Sequence, residues 1–281
     1  MPTALLPDRG VIEVAGRDAA DFLNRLLTNL VPTQPAPQAV YAALLTPQGK
    51  VLADMLIIRH PAKPDAFLLD CTKSCIADML KRFTIYKLRA EIACADLSEQ
   101  WGVAAYWSKA ITAPDGFDKA LAVFTDPRHP ALGERAFIPR NTERTPSDEA
   151  YHAHRIALGI AEGGRDFASG QVFPHEINLD QLHGLDFQKG CYVGQEVVSR
   201  MEHRGTARNR MIIVKFPDGL TAQTGDEIKV GSFLLGHVGS VTAEGYGLAL
   251  IRLDRAEEAL QSGQPMIAGG QACIPLIPDW A

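Results

Sequence analysis

The sequence predicts an α+β fold that ends in a small β-barrel, and three observations carry that expectation. Twice in the first part of the chain a short strand runs into an apolar stripe at helical spacing. A stretch rich in Pro, Asp and Arg, residues 111–150, then interrupts the pattern. After Arg210 short strands punctuated by Gly or Asp follow at close intervals, the signature of a small barrel or sandwich. With 281 residues, 46% of them hydrophobic and 22% charged, the chain can bury the cores of two compact domains or three small ones.

In chain order, VIEV (11–14) is a strand, Asp18 is an N-cap, and Phe22, Leu23, Leu26, Leu27 and Leu30 form the buried stripe of a helix. VLADMLII (51–58) is a strong strand. Residues 67–69 form another, and Thr72 caps a second helix in which Cys75, Ile76, Met79, Leu80 and Phe83 repeat the apolar stripe. Residues 91–94 and 103–106 are weaker strands. The connecting region holds apolar islands at 121–124 and 136–138, and its 141–149 segment is the part expected to be mobile. Helical character returns at 151–158. MIIVKF, a PDG turn at 217–219, GDEIKV, SFLLGHVGSV and GLALIRL then supply the strands of the barrel. The boundary falls near 205–210, giving an α+β region 1–207 and a barrel 208–281.

Lys and Arg total 28 against 33 Asp and Glu, a formal charge of -5, which argues against a generic polyanion binder while leaving room for a local basic patch, and no direct nucleic acid partner is expected. No apolar run approaches the ~20 residues of a membrane span, and the first ten residues lack the basic-then-apolar order of a signal peptide. A cytoplasmic protein without membrane contact is the expectation. Cys71, Cys75, Cys94, Cys191 and Cys273 are odd in number and widely spread, which suits free thiols.

The densest unusual segment is KGCYVGQE, Lys189 to Glu196. A helix starting near Gly190 would set Cys191 in its first turn, where unpaired N–H groups and the dipole favour a thiolate, with Lys189 adding to the effect. The other reading makes Gly190 and Gly194 a tight turn and Cys191 a packed small side chain. Asp54 is the second anomaly. It shares a strand face with Leu52, Leu56 and Ile58, and a carboxylate there must meet a cation, backbone donors, water or a ligand bearing N–H groups, such as a pterin or an amine. Third, Arg200, Arg204 and Arg208 recur every fourth residue, able to receive carboxylates or phosphates, or else to form a solvated face paired with Glu196 and Glu202. Cys71 with Cys75, His152 with His154, and His175 with Glu176 complete no metal-ligand set, and Gly163 and Gly164 form no phosphate-binding loop.

KGCYVGQE resembles the signature of the YgfZ-type folate-binding proteins, whose mitochondrial relatives act in late iron-sulfur cluster assembly and which are cousins of the aminomethyltransferase, or T-protein, of the glycine cleavage system. VAGRDAADFLNRLLTN, TPQGKVLADMLI, TDPRHPALGERAF, RIALGIAEGG and LLGHVGSVT support the likeness along nearly the whole chain. The resemblance implies a cloverleaf of ferredoxin-like, T-protein-like modules (roughly 1–48 with 150–207, and 49–149) around a central channel for tetrahydrofolate. It implies that Asp54 faces the reactive end of the folate, that Cys191 is the functional thiol, and that Lys189, Tyr192 and Gln195 belong to the same site. Arg200 and Arg204 are expected to receive the anionic tail. Ala157 stands where the aminomethyltransferases carry an acid, and they lack the motif cysteine. The implied function is therefore a tetrahydrofolate-binding accessory protein serving iron-sulfur enzymes, including tRNA-thiolating radical enzymes, with cluster-assembly proteins or clients as partners. A folate-dependent aminomethyl or methyl transferase or demethylase is the alternative.

Overall fold

The computed structural model describes residues 3–107, 117–142, 148–205, 207–217, 222–278 and 280. The chain builds β1 (Thr3–Leu5), β2 (Arg9–Ala15), α1 (Ala19–Leu26), β3 (Ala39–Leu45), β4 (Val51–Arg59), β5 (Ala66–Thr72), α2 (Lys73–Tyr86), β6 (Ala93–Asp96), β7 (Trp101–Tyr106), β8 (Ala122–Thr125), β9 (Glu134–Pro139), α3 (Glu149–Ala157) and α4 (Gln195–Arg204). The C-terminal part adds β10 (Asn209–Lys215), β11 (Glu227–Val230), β12 (Phe233–Val241), β13 (Tyr246–Arg252), α5 (Leu253–Gln261), β14 (Met266–Ala268) and β15 (Gln271–Leu276). Strands β3-β4-β5-β2-β6 form one antiparallel sheet, β1-β7-β9-β8 a second, and β10-β13-β12-β11-β14-β15 a closed barrel. The expected α+β class with a C-terminal barrel is the observed one.

The five-stranded sheet is buried on both faces, which is why β4 reads as a nearly continuous apolar run. On one face Ile12, Met55, Ile57 and Leu69 pack under the stripes of α1 (Phe22, Leu23, Leu26) and α2 (Ile76, Met79, Phe83). On the other, Val11, Leu56, Ile58 and Leu68 meet Val103, Phe124 and Phe137 of the second sheet, Tyr151 and Ile156 of α3, and Met211 and Leu248 of the barrel. This central core joins the three sheets, and Asp54 points into it.

Several local expectations are corrected. The α1 stripe ends at Leu26, so Leu30 lies beyond the helix and is exposed. Asp18 and Thr72 sit at N-cap positions but cap nothing with their side chains: Asp18 accepts the Glu91 N–H at 2.7 Å, and the Thr72 hydroxyl donates to the Gly163 carbonyl at 2.8 Å. Leu52 does not share the face of Asp54. The register shifts between Leu44 and Leu45, Leu44 pairing with Ala53 and Leu45 with Val51, so Leu52 is a bulge residue that joins the α1–α2 core. The division expected at 48/49 falls in the 46–50 turn of the β3–β4 hairpin, so one sheet draws on residues from both sides of it. Of the 141–149 segment and the PDG turn, residues 143–147, 218 and 219 lie outside the described residues.

Candidate functional site

The motif KGCYVGQE is a loop followed by a helix. Gly194 has φ +83° and forms the N-cap of α4, so the helix begins at Gln195 and Cys191 stands ahead of it, exposed. The expected first-turn position of Cys191 is thus overturned: a left-handed residue cannot continue a right-handed helix back to Gly190, and the dipole acts on Gln195 and its successors. A long-range contact fixes this geometry, because a Cβ on Gly194 would lie 2.7 Å from the Thr46 carbonyl of the β3–β4 turn. Facing it, a Cβ on Gly49 would lie 2.9 Å from Val197.

Upstream the loop is tied to the end of α1. The Thr28 hydroxyl donates to the Gly184 carbonyl at 2.7 Å, and Asn29 Nδ2 donates to the carbonyls of His183 at 2.8 Å and Tyr41 at 3.1 Å. Asp186 Oδ1 accepts the backbone N–H groups of Gln188 and Lys189. Lys189 is 8% exposed, and its ammonium is committed to the Leu27 carbonyl at 2.6 Å and the Asn29 carbonyl at 3.0 Å, above the Tyr192 ring. It clasps the loop to the carbonyl end of α1, where the helix dipole favours a cation. Burial lowers its pKa to about 8 against the pull of Asp186, and burial pushes the Tyr192 phenol up to about 12. Cys191 opens into a groove of 710 Å³ that also takes in Asp21, Asn24, Arg25 and Leu30. The other four cysteines are free but buried or half-buried, and burial raises each thiol.

Asp54 is 2% exposed and is not among the residues that line this groove. It accepts the Gly163 N–H at 3.2 Å and the Tyr41 hydroxyl at 3.3 Å. Burial raises its pKa, with Arg9 and Arg128 pulling the other way. The approach from Gly163 is closed, since a Cβ there would sit 2.5 Å from Oδ1. Of the partners anticipated for this carboxylate a backbone donor is in contact, and the Tyr41 hydroxyl is one the sequence did not suggest.

Sequence reasoning missed a buried ionic ladder through the central core. Asp70 pairs with Arg9 at 2.6 Å and Arg135 at 2.8 Å, Arg135 and Arg128 converge on Asp126, and Tyr151 hydrogen-bonds to both of them. Glu162 lies 3.5 to 3.6 Å from Arg9, Arg135 and Arg155, and Arg155 also reaches Asp166 at 2.6 Å. Burial alone would raise the Glu162 pKa, but Arg9, Arg155, Arg135 and Arg128 hold it well below the usual carboxylate range. Burial lowers His152 beside this ladder to about 4, despite Glu162. The signals available were Asp70 inside FLLDC and Arg135 inside ERAF, charges in apolar strands.

The aligned arginine series does not exist. Gly205, at φ +56°, ends α4, so Arg208 leaves the row; Arg200 pairs with Glu196 at 2.6 Å in solvent, and Arg204 is exposed. Gln195 opens the helix, half-buried. Nearby, His175, Asp180 and Glu202 bring ligand atoms within 4.8 Å of one another, a grouping the sequence did not suggest, but both Asp180 oxygens already hold Arg210, at 2.6 and 2.7 Å. No helix among the described residues is long and apolar enough to cross a membrane.

The chain resembles known proteins over its full length. The human mitochondrial iron-sulfur cluster assembly factor IBA57 is 32% identical over 308 aligned positions, covering 98% of this chain and 84% of that protein. The chain belongs to the IBA57 family. IBA57 homologues of Mycosarcoma maydis and Neurospora crassa are 36% and 34% identical over 76% and 74% of the chain, which spans only 57% and 52% of those longer relatives. The GCVT N-terminal domain matches residues 8–107 and the CAF17 C-terminal β-barrel domain residues 208–281. In fold, aminomethyltransferase T of the glycine cleavage system from Bartonella henselae superposes with a TM-score of 0.72 at 14% identity, over 98% of this chain and 84% of that one. The cytoplasmic placement is overturned, because the IBA57 relatives are mitochondrial by name; a soluble composition is common to both compartments and does not separate them.

Proposed function

We propose that this chain is an accessory protein for assembly or repair of iron-sulfur clusters, that Cys191 is its working thiol, and that tRNA-thiolating radical enzymes are among its clients. The carrying observation is the contrast among five free cysteines: only Cys191 is exposed, and it stands in a 710 Å³ groove on a loop clasped by Lys189. A thiolate is a soft ligand suited to iron-sulfur chemistry, but clusters take about four protein ligands. One thiol therefore needs a partner that supplies the rest, which fits a factor that hands over or protects a cluster rather than housing it.

Tetrahydrofolate enters the proposal through the shared fold. The surroundings of Asp54 do not fit it as they stand, because Tyr41 and Gly163 cover the carboxylate and the cavity behind Gly163 measures 230 Å³, below the ~300–1,000 Å³ of sites for ligands of that size. The groove beside Lys189, Tyr192 and Arg25 has the volume, while Arg204 is exposed on α4 and is not among the residues that line it. The closed Asp54 weighs against the alternative of an aminomethyl transferase, which needs that carboxylate at its ligand.

Replacing the chromosomal copy by Cys191→Ser is the test. Expected are a stable protein, lost activity of cluster enzymes, fewer thiolated tRNA nucleosides and intact glycine cleavage. Full complementation by a folded Cys191→Ser protein would remove the functional thiol from this reading.

A further inference from the structure

Three buried polar atoms without a hydrogen-bond partner belong to residues that line one cavity: Arg9 Nη1, Arg165 Nε and Glu162 Oε1. The cavity of 230 Å³ lies against the start of α2, and Lys73 and Ser74 stand at its mouth. Orphaned donors and acceptors cost free energy, and native interiors tolerate few of them. Arg9 and Glu162 are 4% and 3% exposed, yet approach each other only to 3.5 Å without forming a hydrogen bond. Arg165, 33% exposed, spends Nη2 on Asp8 and Asp148 and leaves Nε over. At the start of α2 the Lys73 N–H donates to the Asp8 carbonyl at 2.8 Å, but the Thr72 hydroxyl is turned to the Gly163 carbonyl, no side chain caps the helix and its first turn holds no acid.

We propose that this cavity is a subsite for a small α-amino acid, its carboxylate received by Arg9, Arg165 and the α2 N-terminus and its ammonium by Glu162. The two guanidinium donors, Lys73 and the helix end select an anionic oxygen group at one side. Glu162, kept ionised by Arg9, Arg155, Arg135 and Arg128 despite its burial, selects a cation at the other. A plain anion meets Glu162 and Asp8, and a plain cation meets the arginines, so only a ligand with both charges satisfies the orphans together. The volume admits little beyond the amino acid backbone and a short side chain.

Titration calorimetry on the full chain with glycine and alanine, against acetate and methylammonium as half-ligands, tests this. Expected is binding of both amino acids, with each half-ligand at least about tenfold weaker. Ser74→Leu blocks the exposed mouth and should remove binding while leaving the melting curve unchanged. Should it fail to fold, Arg165→Gln, on a partly exposed side chain, should weaken binding at least about tenfold. Absence of heat with either amino acid at millimolar concentration would mean that water alone fills the cavity and would overturn the proposal. So would acetate binding as tightly as glycine, or a folded Ser74→Leu protein that binds unchanged.

Discussion

Asp70 and Lys189 are both charged side chains that water scarcely reaches, and the fold handles them in opposite ways. Asp70 stands between two guanidinium groups, Arg9 and Arg135, which come from β2 in its own sheet and from β9 in the other. Lys189 has two carbonyls and an aromatic ring, with no anion in contact among its hydrogen bonds. The first arrangement makes charge a structural bond between sheets, tolerable because each removed hydration shell is replaced by opposite charge. The second leaves a cation whose protonation state answers to pH, at the loop that carries the exposed thiol.

The comparison breaks most visibly at the ladder. Arg135→Met leaves Asp70, Asp126 and Glu162 each short of a cation in the core, and chemical denaturation should show a loss of about 3–5 kcal/mol. A loss below about 1 kcal/mol would mean that the sheets are held together by their apolar faces alone.

His152 tests the same region by acid. Its folded pKa of about 4 is below the unfolded value of ~6.5, so the unfolded chain binds more protons between those limits, and stability falls as pH drops through them. The full effect is up to about 3 kcal/mol, and His152→Gln should flatten that part of the stability profile. Parallel profiles for the two proteins would show that His152 is not the titrating group.

Lys189 sharpens the other side. Its folded pKa of about 8 lies below the unfolded ~10.4, so the buried ammonium costs stability below pH 8 and that cost is relieved as pH rises from 8 toward 10. The stability of the wild-type protein minus that of Lys189→Met should therefore increase over that interval, measured by urea unfolding at each pH. A flat difference would place the ammonium in contact with water or with an anion.

Legibility in the sequence tracks the range of the interactions. The stripes of α1 and α2 and the run of β4 are local periodicities, and they marked real elements. The β3 strand, AVYAALL, escaped notice because it is buried without alternation, and Ala favours no strand. The ladder was illegible for a different reason: Arg9 and Arg135 lie 61 and 65 residues from Asp70, and nothing in spacing pairs them. The motif drew attention to Lys189 and Cys191, which line one groove, but not to which way the ammonium turns, because its acceptors, Leu27 and Asn29, are 162 and 160 residues away. Asp54 was rightly read as a carboxylate in an apolar face, while Gly163, 109 residues off, decides that it is covered.

Gly194 carries a consequence for how the motif KGCYVGQE is weighed as information. Its left-handed backbone and its fit against the Thr46 carbonyl are demands of the β3–β4 turn, and they would hold whatever the loop does for a living. Cys191 answers to no such demand, being exposed. The eight letters thus mix two independent messages, one about shape and one about reactivity. A relative that keeps Gly194 and Gly49 but replaces Cys191 would share the architecture and not the chemistry, and counting the motif as a single unit would misjudge it.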